Sequence, residues 1–255
     1  MILHDLTPGM HPRRVRIFLA EKGVSIERRE VDAAGGANAA PDFIRLNPLG
    51  KLPLLELDDG STIAESLAIC RYLEALYPDP PLIGRTPREA AHIDMWALRM
   101  DHELSQMIAL VFIHSSDFYR GRVEQIPEVA NWSRGRALQT MSWLDSELAR
   151  RRHIAGEDYS IADIIAQCAF VLGKAVGLRI SPELAHLSRW FSEVTARPTA
   201  RAWAQLTGGD HVQARCVLRH RCRRCHRVGG CPSLCTGGLY GVRRTKKREC
   251  PAAAG

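Results

Sequence analysis

No stretch of this 255-residue sequence approaches the roughly 20 consecutive apolar residues that a bilayer-spanning helix requires. The most apolar run, residues 164–178, is broken by Gln167, Gly173 and Lys174, so no membrane span is expected. The start of the chain also lacks the basic, apolar and small-residue order of a secretory signal, because Met1-Ile2-Leu3-His4-Asp5 reads directly into a strand. A cytoplasmic protein is the expectation. No cysteine precedes Cys70, which disfavours dithiol exchange through a Cys-x-x-Cys pair, and mixed-disulfide chemistry, at the head of the first helix. Cys70 falls on an apolar helical stripe and reads as a small core residue. No internal repeat is visible.

Nor does most of the chain have an excess of positive charge. The net charge of +7 is concentrated at one end: residues 208–255 hold 11 Lys/Arg against Asp210 and Glu249, whereas the preceding residues hold 24 basic and 26 acidic side chains. Six of the eight cysteines lie in the same terminal stretch. Cys222, Cys225, His226, Cys231 and Cys235 are ligands of the zinc type, but only five residues separate the two Cys pairs, where zinc ribbons leave about twelve or more. Basic residues without interleaved aromatics are also a poor specific nucleic-acid surface. Residues 205–255 therefore read as a basic, Cys-rich, disordered tail, with no metal and no specific nucleic acid expected. The abrupt change after Trp203 has the look of out-of-frame reading of GC-rich coding DNA.

The rest of the chain divides into two kinds of pattern. Residues 2–4 open a strand. Residues 12–22 carry Val15, Phe18 and Leu19 at helical spacing, with Pro12 in the first turn and Gly23 as the stop. Residues 25–31 read as a second strand. A Gly/Ala-rich loop and a short helical turn at 41–46 follow, and then Leu54-Leu55-Glu56-Leu57 and Thr62-Ile63 flank the turn signal Asp58-Asp59-Gly60. A helix over 65–77 gives the order βαβαββα. Four prolines, Pro78, Pro80, Pro81 and Pro87, make a stiff linker after Tyr77. Beyond it the periodicity is helical, over 88–115, 128–151, 161–177, 182–196 and 199–204. The expected divisions are 1–77, a linker at 78–87, an all-helical domain at 88–204, and the tail.

Two short segments carry chemistry. Pro53 sits where a loop enters a strand, a place suited to a residue that donates nothing to a ladder. A trans Leu52-Pro53 bond would merely start an edge strand; a cis bond would turn the Leu52 N–H and C=O outward, able to pair with an extended peptide. Glu65 and Ser66 open a helix. They can be first-turn capping residues, or they can hold the two charges of an amino-acid head: the helix end and the Ser66 hydroxyl take the carboxylate, and Glu65 takes the ammonium group.

In order and spacing, residues 12–23, Asn47-Pro48-Leu49-Gly50-Lys51-Leu52-Pro53, Glu65-Ser66-Leu67-Ala68-Ile69 and Tyr159-Ser160-Ile161-Ala162-Asp163 resemble the glutathione S-transferase family, soluble bacterial type. The resemblance covers residues 1 to about 204. It implies an α/β plus all-α fold: a thioredoxin-like N-terminal domain followed by a helical-bundle C-terminal domain. It also implies reduced glutathione as cosubstrate, with Gly9, Lys51, Leu52, Pro53, Glu65 and Ser66 binding it. A homodimer, a small electrophilic second substrate and a detoxifying conjugation are further implications. The alternative is a transferase-fold module that binds without catalysis. Ser160 and Asp163 form a capping box and read as structural.

The family's thiol-activating residue is missing. Related sequences place Ser at Gly9 or Cys near His11, and this chain has neither. Thr7 is the first substitute, and His11, as cation or hydrogen-bond donor, the second, beside backbone N–H groups at the helix start. The electrophile is expected between Met10, residues 99–113, and Phe112, His114 and Tyr119, which read equally well as core.

Overall fold

The computed structural model describes residues 1–202. The expectations for the tail, its disorder and its zinc-type ligands included, lie outside the described residues.

Strand β1 (Ile2–Asp5), helix α1 (Met10–Glu21) and strand β2 (Glu27–Glu30) form a βαβ unit with parallel strands, Leu3 opposite Arg28. Helix α2 (Pro41–Leu46) then leads to the hairpin β3 (Leu54–Glu56) and β4 (Thr62–Ala64), where Leu55 faces Ile63. Strand β3 runs antiparallel to β1, so the four strands lie in the order β2-β1-β3-β4. The hairpin follows from Asp59-Gly60, with Gly60 at φ 83°. Helix α3 (Ser66–Leu76) closes this half.

The second half is helical: α4 (Pro87–Arg99), α5 (Gln106–Ser115), α6 (Pro127–Leu148), α7 (Ile161–Ala175) and α8 (Ala185–Ala196). The sequence reads α4 and α5 as one helix over 88–115. The structure keeps the path continuous but inserts a π-helical turn, Met100–Ser105, between them. A π turn adds a residue without breaking the apolar stripe, so periodicity does not reveal it. Thr86 starts α4 with a capping box, donating and accepting through Glu89.

One apolar core joins the sheet to the helices. Leu3, Val15, Phe18, Ile69 and Leu73 belong to the same cluster as Met100, Leu104, Ile108, Ile164, Phe170 and Trp190. Each such side chain contributes about 1.5–3 kcal/mol by leaving water. Helix α7 is the most enclosed: Ile161, Ala162, Asp163, Ile164, Ile165, Ala166, Gln167, Cys168, Ala169 and Phe170 are all buried. Asp163, with no exposure, can sit there because four donors reach its carboxylate: the Ser160 N–H at 2.9 Å and hydroxyl at 3.1 Å, the Ile154 N–H at 3.0 Å and the Trp190 indole at 2.7 Å. That saturation fits the structural reading of the capping box. Polar ties cross between the halves as well. Arg197, just after α8, forks onto Glu21 of α1 at 2.8 and 2.7 Å, and the Thr199 hydroxyl donates to the same carboxylate.

Candidate functional site

The site begins with the loop at residues 6–9, between β1 and α1. Asp5, fully buried at the end of β1, accepts from Arg16 of α1 at 2.6 Å and from Arg28 Nε of β2 at 2.7 Å. Arg16 also donates to the Thr7 carbonyl at 2.7 Å and the Leu6 carbonyl at 3.3 Å. The loop's carbonyls are thus held back toward the protein. At the start of α1 the Met10 and His11 N–H groups have no partner among the described residues, as the first turn of a helix leaves them.

Thr7 and His11 part company here. The Thr7 hydroxyl donates to Glu30 at 2.8 Å and its N–H to the same carboxylate at 2.7 Å. Thr7 does not line the nearby cleft; His11 does. Gly9 caps α1 without lining the cleft, its N–H donating to the Leu6 carbonyl at 2.8 Å. A Cβ on Gly9 would lie 2.9 Å from the Pro12 ring and 3.0 Å from the Leu6 carbonyl oxygen, so this loop has no room for a serine in its present shape.

The cleft, about 110 Å³ in volume, is lined by His11, Asn47, Lys51, Leu52, Pro53, Glu65 and Ser66. Six of these were singled out in the sequence. Asn47 is the addition: its amide donates to the Lys51 carbonyl at 2.8 Å and folds the loop that presents Lys51 and Leu52. Gly50 sits inside that loop at φ 60°, where a Cβ would come within 2.8 Å of the Asn38 carbonyl; the Asn-Pro-x-Gly spelling is the signal for this turn.

The Leu52-Pro53 peptide bond is cis. Among the described residues neither the N–H nor the C=O of Leu52 has a hydrogen-bond partner. Glu65, facing it, is exposed and sits at φ 66°, ψ 121°, the one non-glycine residue with positive φ among the described residues. Such backbone costs about 1–3 kcal/mol and collects at ligand sites. Glu65 makes no side-chain cap on α3, so the capping alternative fails for it. Ser66 is buried at the first turn of α3, and Arg14 Nη1 reaches its hydroxyl oxygen at 3.4 Å.

Desolvation by the surrounding protein, reinforced by the Arg14 charge, lowers the His11 pKa to about 4, against a smaller opposing effect of Asp101. His11 as a residue is exposed to solvent, and water there screens part of the effect; the direction leaves the imidazole neutral at pH 7. A neutral ring still donates one hydrogen bond, whereas the role of cation is lost. Burial pushes the Cys70 thiol pKa well up, far from reactivity, in line with a core residue.

The expected electrophile wall divides in two. Leu104, Ile108 and Val111 are fully buried core. Phe112, Phe118 and Tyr119 form an aromatic group with centroids 5.1–6.1 Å apart, and His114 Nδ1 accepts the Ile126 N–H at 3.2 Å. Among the described residues no cluster of His, Cys, Asp or Glu could hold a metal ion, and no helix is long and apolar enough to cross a membrane.

Residues 10–76 match the glutathione S-transferase N-terminal domain and residues 104–198 the glutathione S-transferase C-terminal domain. Glutathione S-transferase 2 of Saccharomyces cerevisiae is 35% identical over 79% of this chain and 88% of its own length. The crystal structure of Gtt2 from Saccharomyces cerevisiae superposes with a TM-score of 0.76 at 33% identity, covering 80% of this chain and 100% of that one. An elongation factor 1-gamma of Prunus avium is 28% identical over 78% of this chain, which spans only 46% of that relative. By both domain matches and by a relative aligned along most of its length, the chain belongs to the glutathione S-transferase family.

Proposed function

We propose that this chain binds reduced glutathione and transfers its thiolate to a small electrophile. The observation that carries the reading is the facing pair of features across one cleft: the unpaired backbone of Leu52 on one side, and Glu65 with Ser66 on the other. A tripeptide laid along Leu52 pairs with it as an added strand would. Its γ-glutamyl ammonium group then meets the Glu65 carboxylate, and its carboxylate meets Ser66 at the positive end of α3. The cleft is smaller than the roughly 300–1,000 Å³ of sites that enclose a whole ligand, which suits a seat for one end of an extended molecule. Lys51, exposed at the rim, is placed for the other terminal carboxylate.

The thiol lies, in this reading, near the start of α1. The unpaired Met10 and His11 N–H groups and the neutral His11 ring supply hydrogen bonds that favour the thiolate, each pKa unit of lowering being worth about 1.4 kcal/mol. Thr7, its hydroxyl proton already given to Glu30, is the weaker choice. The thiolate sulfur forms a bond to the electrophilic carbon, the leaving group departs with the electron pair, and the thiol proton goes to solvent. Calorimetry with reduced glutathione, followed by turnover of a generic aryl halide, tests binding and chemistry separately. The homodimer and cytoplasmic residence belong to the same proposal.

A second reading keeps the fold and discards the chemistry. The elongation factor 1-gamma relatives and the crowded Gly9 position favour it. Glutathione binding without turnover of any electrophile would select it.

A further inference from the structure

A second hollow lies in the helical half and shares no residue with the cleft at Leu52 and Glu65: a groove of about 550 Å³ where the C-terminal end of α6 meets the first turns of α8. That volume falls in the range of sites that take a small organic molecule. Two ties fix its walls. The Asp145 carboxylate of α6 accepts the Leu187 N–H of α8 at 2.8 Å, and Arg189 donates to the carbonyls of Leu148 at 2.9 Å and Arg151 at 3.2 Å, which satisfies the open end of α6.

The lining is cationic, in a body where acidic side chains outnumber basic ones. Three consecutive arginines leave α6, and each is engaged differently. Arg151 turns away: its guanidinium lies 4.2 Å from the Trp96 ring centroid and pairs with Glu147. Arg152 and Arg189 share one carboxylate, Glu193, at 3.2 and 3.6 Å. Arg150 is exposed, and its guanidinium has no partner among the described residues. Against Arg150, Arg152 and Arg189 stand only Glu193 and Glu157 in the lining, so a positive charge is left over.

Helix α8 adds to this surplus. It begins with no side-chain cap and no acidic residue in its first turn, and the Ala185 and His186 N–H groups, at the end that borders the groove, have no partner among the described residues. The His186 ring lines the groove beside them. Guanidinium donors on one side and a positive helix end on the other suit a phosphate, whose three oxygens can be divided between them, better than a carboxylate with two. Leu148 and Ala149 are the only apolar residues of the lining, so the remainder of a ligand here is hydrophilic. Glu157, an acceptor without a partner among the described residues, is available to its hydroxyl groups.

We infer that this groove is a second ligand site, which takes the phosphate monoester of a small hydroxylated molecule, a sugar phosphate in class. Arg150, His186 and the start of α8 hold the phosphate, and Glu157 accepts from a hydroxyl. The inference does not rest on the glutathione reading, and the failure of either leaves the other standing.

The test is calorimetry on the full chain, with glucose 6-phosphate as the probe and glucose as the uncharged control, each with and without saturating reduced glutathione. Glucose 6-phosphate is expected to bind saturably at one site, more weakly as salt is added, with glucose giving no heat and glutathione leaving the affinity unchanged. Arg150→Gln should weaken the probe about tenfold, as for a lost charge-assisted hydrogen bond, and His186→Ala should weaken it by a smaller factor. Both variants replace exposed side chains that have no partner, so both should melt with the wild type, and a weaker probe then reports a lost contact. Unchanged affinity in Arg150→Gln, equal binding of glucose, or displacement of the probe by glutathione overturns the inference. So does a folded wild-type chain that gives no heat with several millimolar glucose 6-phosphate.

Discussion

Replacing Glu65 by glycine separates what the residue does for the fold from what it does for the ligand. Glu65 holds φ 66° and ψ 121°, a conformation that costs a side-chain-bearing residue about 1–3 kcal/mol. Glycine removes that strain, and its greater freedom in the unfolded chain returns about 0.5–1 kcal/mol of it. No hydrogen bond is lost, because the Glu65 side chain makes none among the described residues. The net expectation is stabilisation by about 0–2 kcal/mol, or a rise in melting temperature of up to ~8 °C for a fold of this size. Binding moves the other way. A charged hydrogen bond to an ammonium group is worth about 1.5–3 kcal/mol, so the Kd for reduced glutathione should rise roughly 10- to 150-fold. Thermal melting and calorimetry on the same preparation read both quantities. A variant that melts lower than wild type while binding glutathione equally well would refute the reasoning, because Glu65 would then be structural.

Further expectations concern the frame around the cleft. His11→Ala should raise the pKa of bound glutathione's thiol, seen as a shift of the rate–pH profile to higher pH; an unmoved profile removes His11 from the reaction. Because the folded pKa of His11 lies below the unfolded value, the unfolded state binds its proton first, so this residue costs stability as pH falls from about 6.5 toward 4. His11→Ala should flatten that part of the acid-denaturation curve, and an identical curve would contradict the desolvation. Asp5→Asn strips Arg16 and Arg28 of their shared buried partner and should cost about 3–5 kcal/mol in urea unfolding; a loss under 1 kcal/mol would mean that the loop does not depend on this cluster. Gly9→Ser should destabilise by about 1–3 kcal/mol from overpacking against Pro12 and add no activity, whereas a faster enzyme would show that the loop can open.

Local order was legible because it has local causes. Pro12 and Gly23 bound α1, Asp59-Gly60 turns the hairpin, and the apolar stripe of α7 continues from the Ser160–Asp163 box. The cleft was legible to the same degree: Leu52, Pro53, Glu65 and Ser66 sit in short segments whose backbone requirements are spelled by proline, glycine and a helix start. Long-range pairing was not. Arg14 and Asp101 are 2.7 Å apart across 87 positions, and no spacing rule connects them; the π turn that carries Asp101 leaves no mark in the helical pattern. Thr7 looked available because nothing local engages it, and only the parallel pairing of β1 with β2 brings Glu30 to its hydroxyl. Thr86, by contrast, had a readable signal in Glu89 three residues on, and its capping box was open to the same reasoning that found Ser160.

The most direct measurement is titration of the folded full-length chain with reduced glutathione in a calorimeter. The account predicts saturable one-site binding at or below millimolar concentration that is weakened by Glu65→Ala. A sample that melts cooperatively and yet releases no binding heat up to several millimolar glutathione, with no shift in melting temperature, would contradict it.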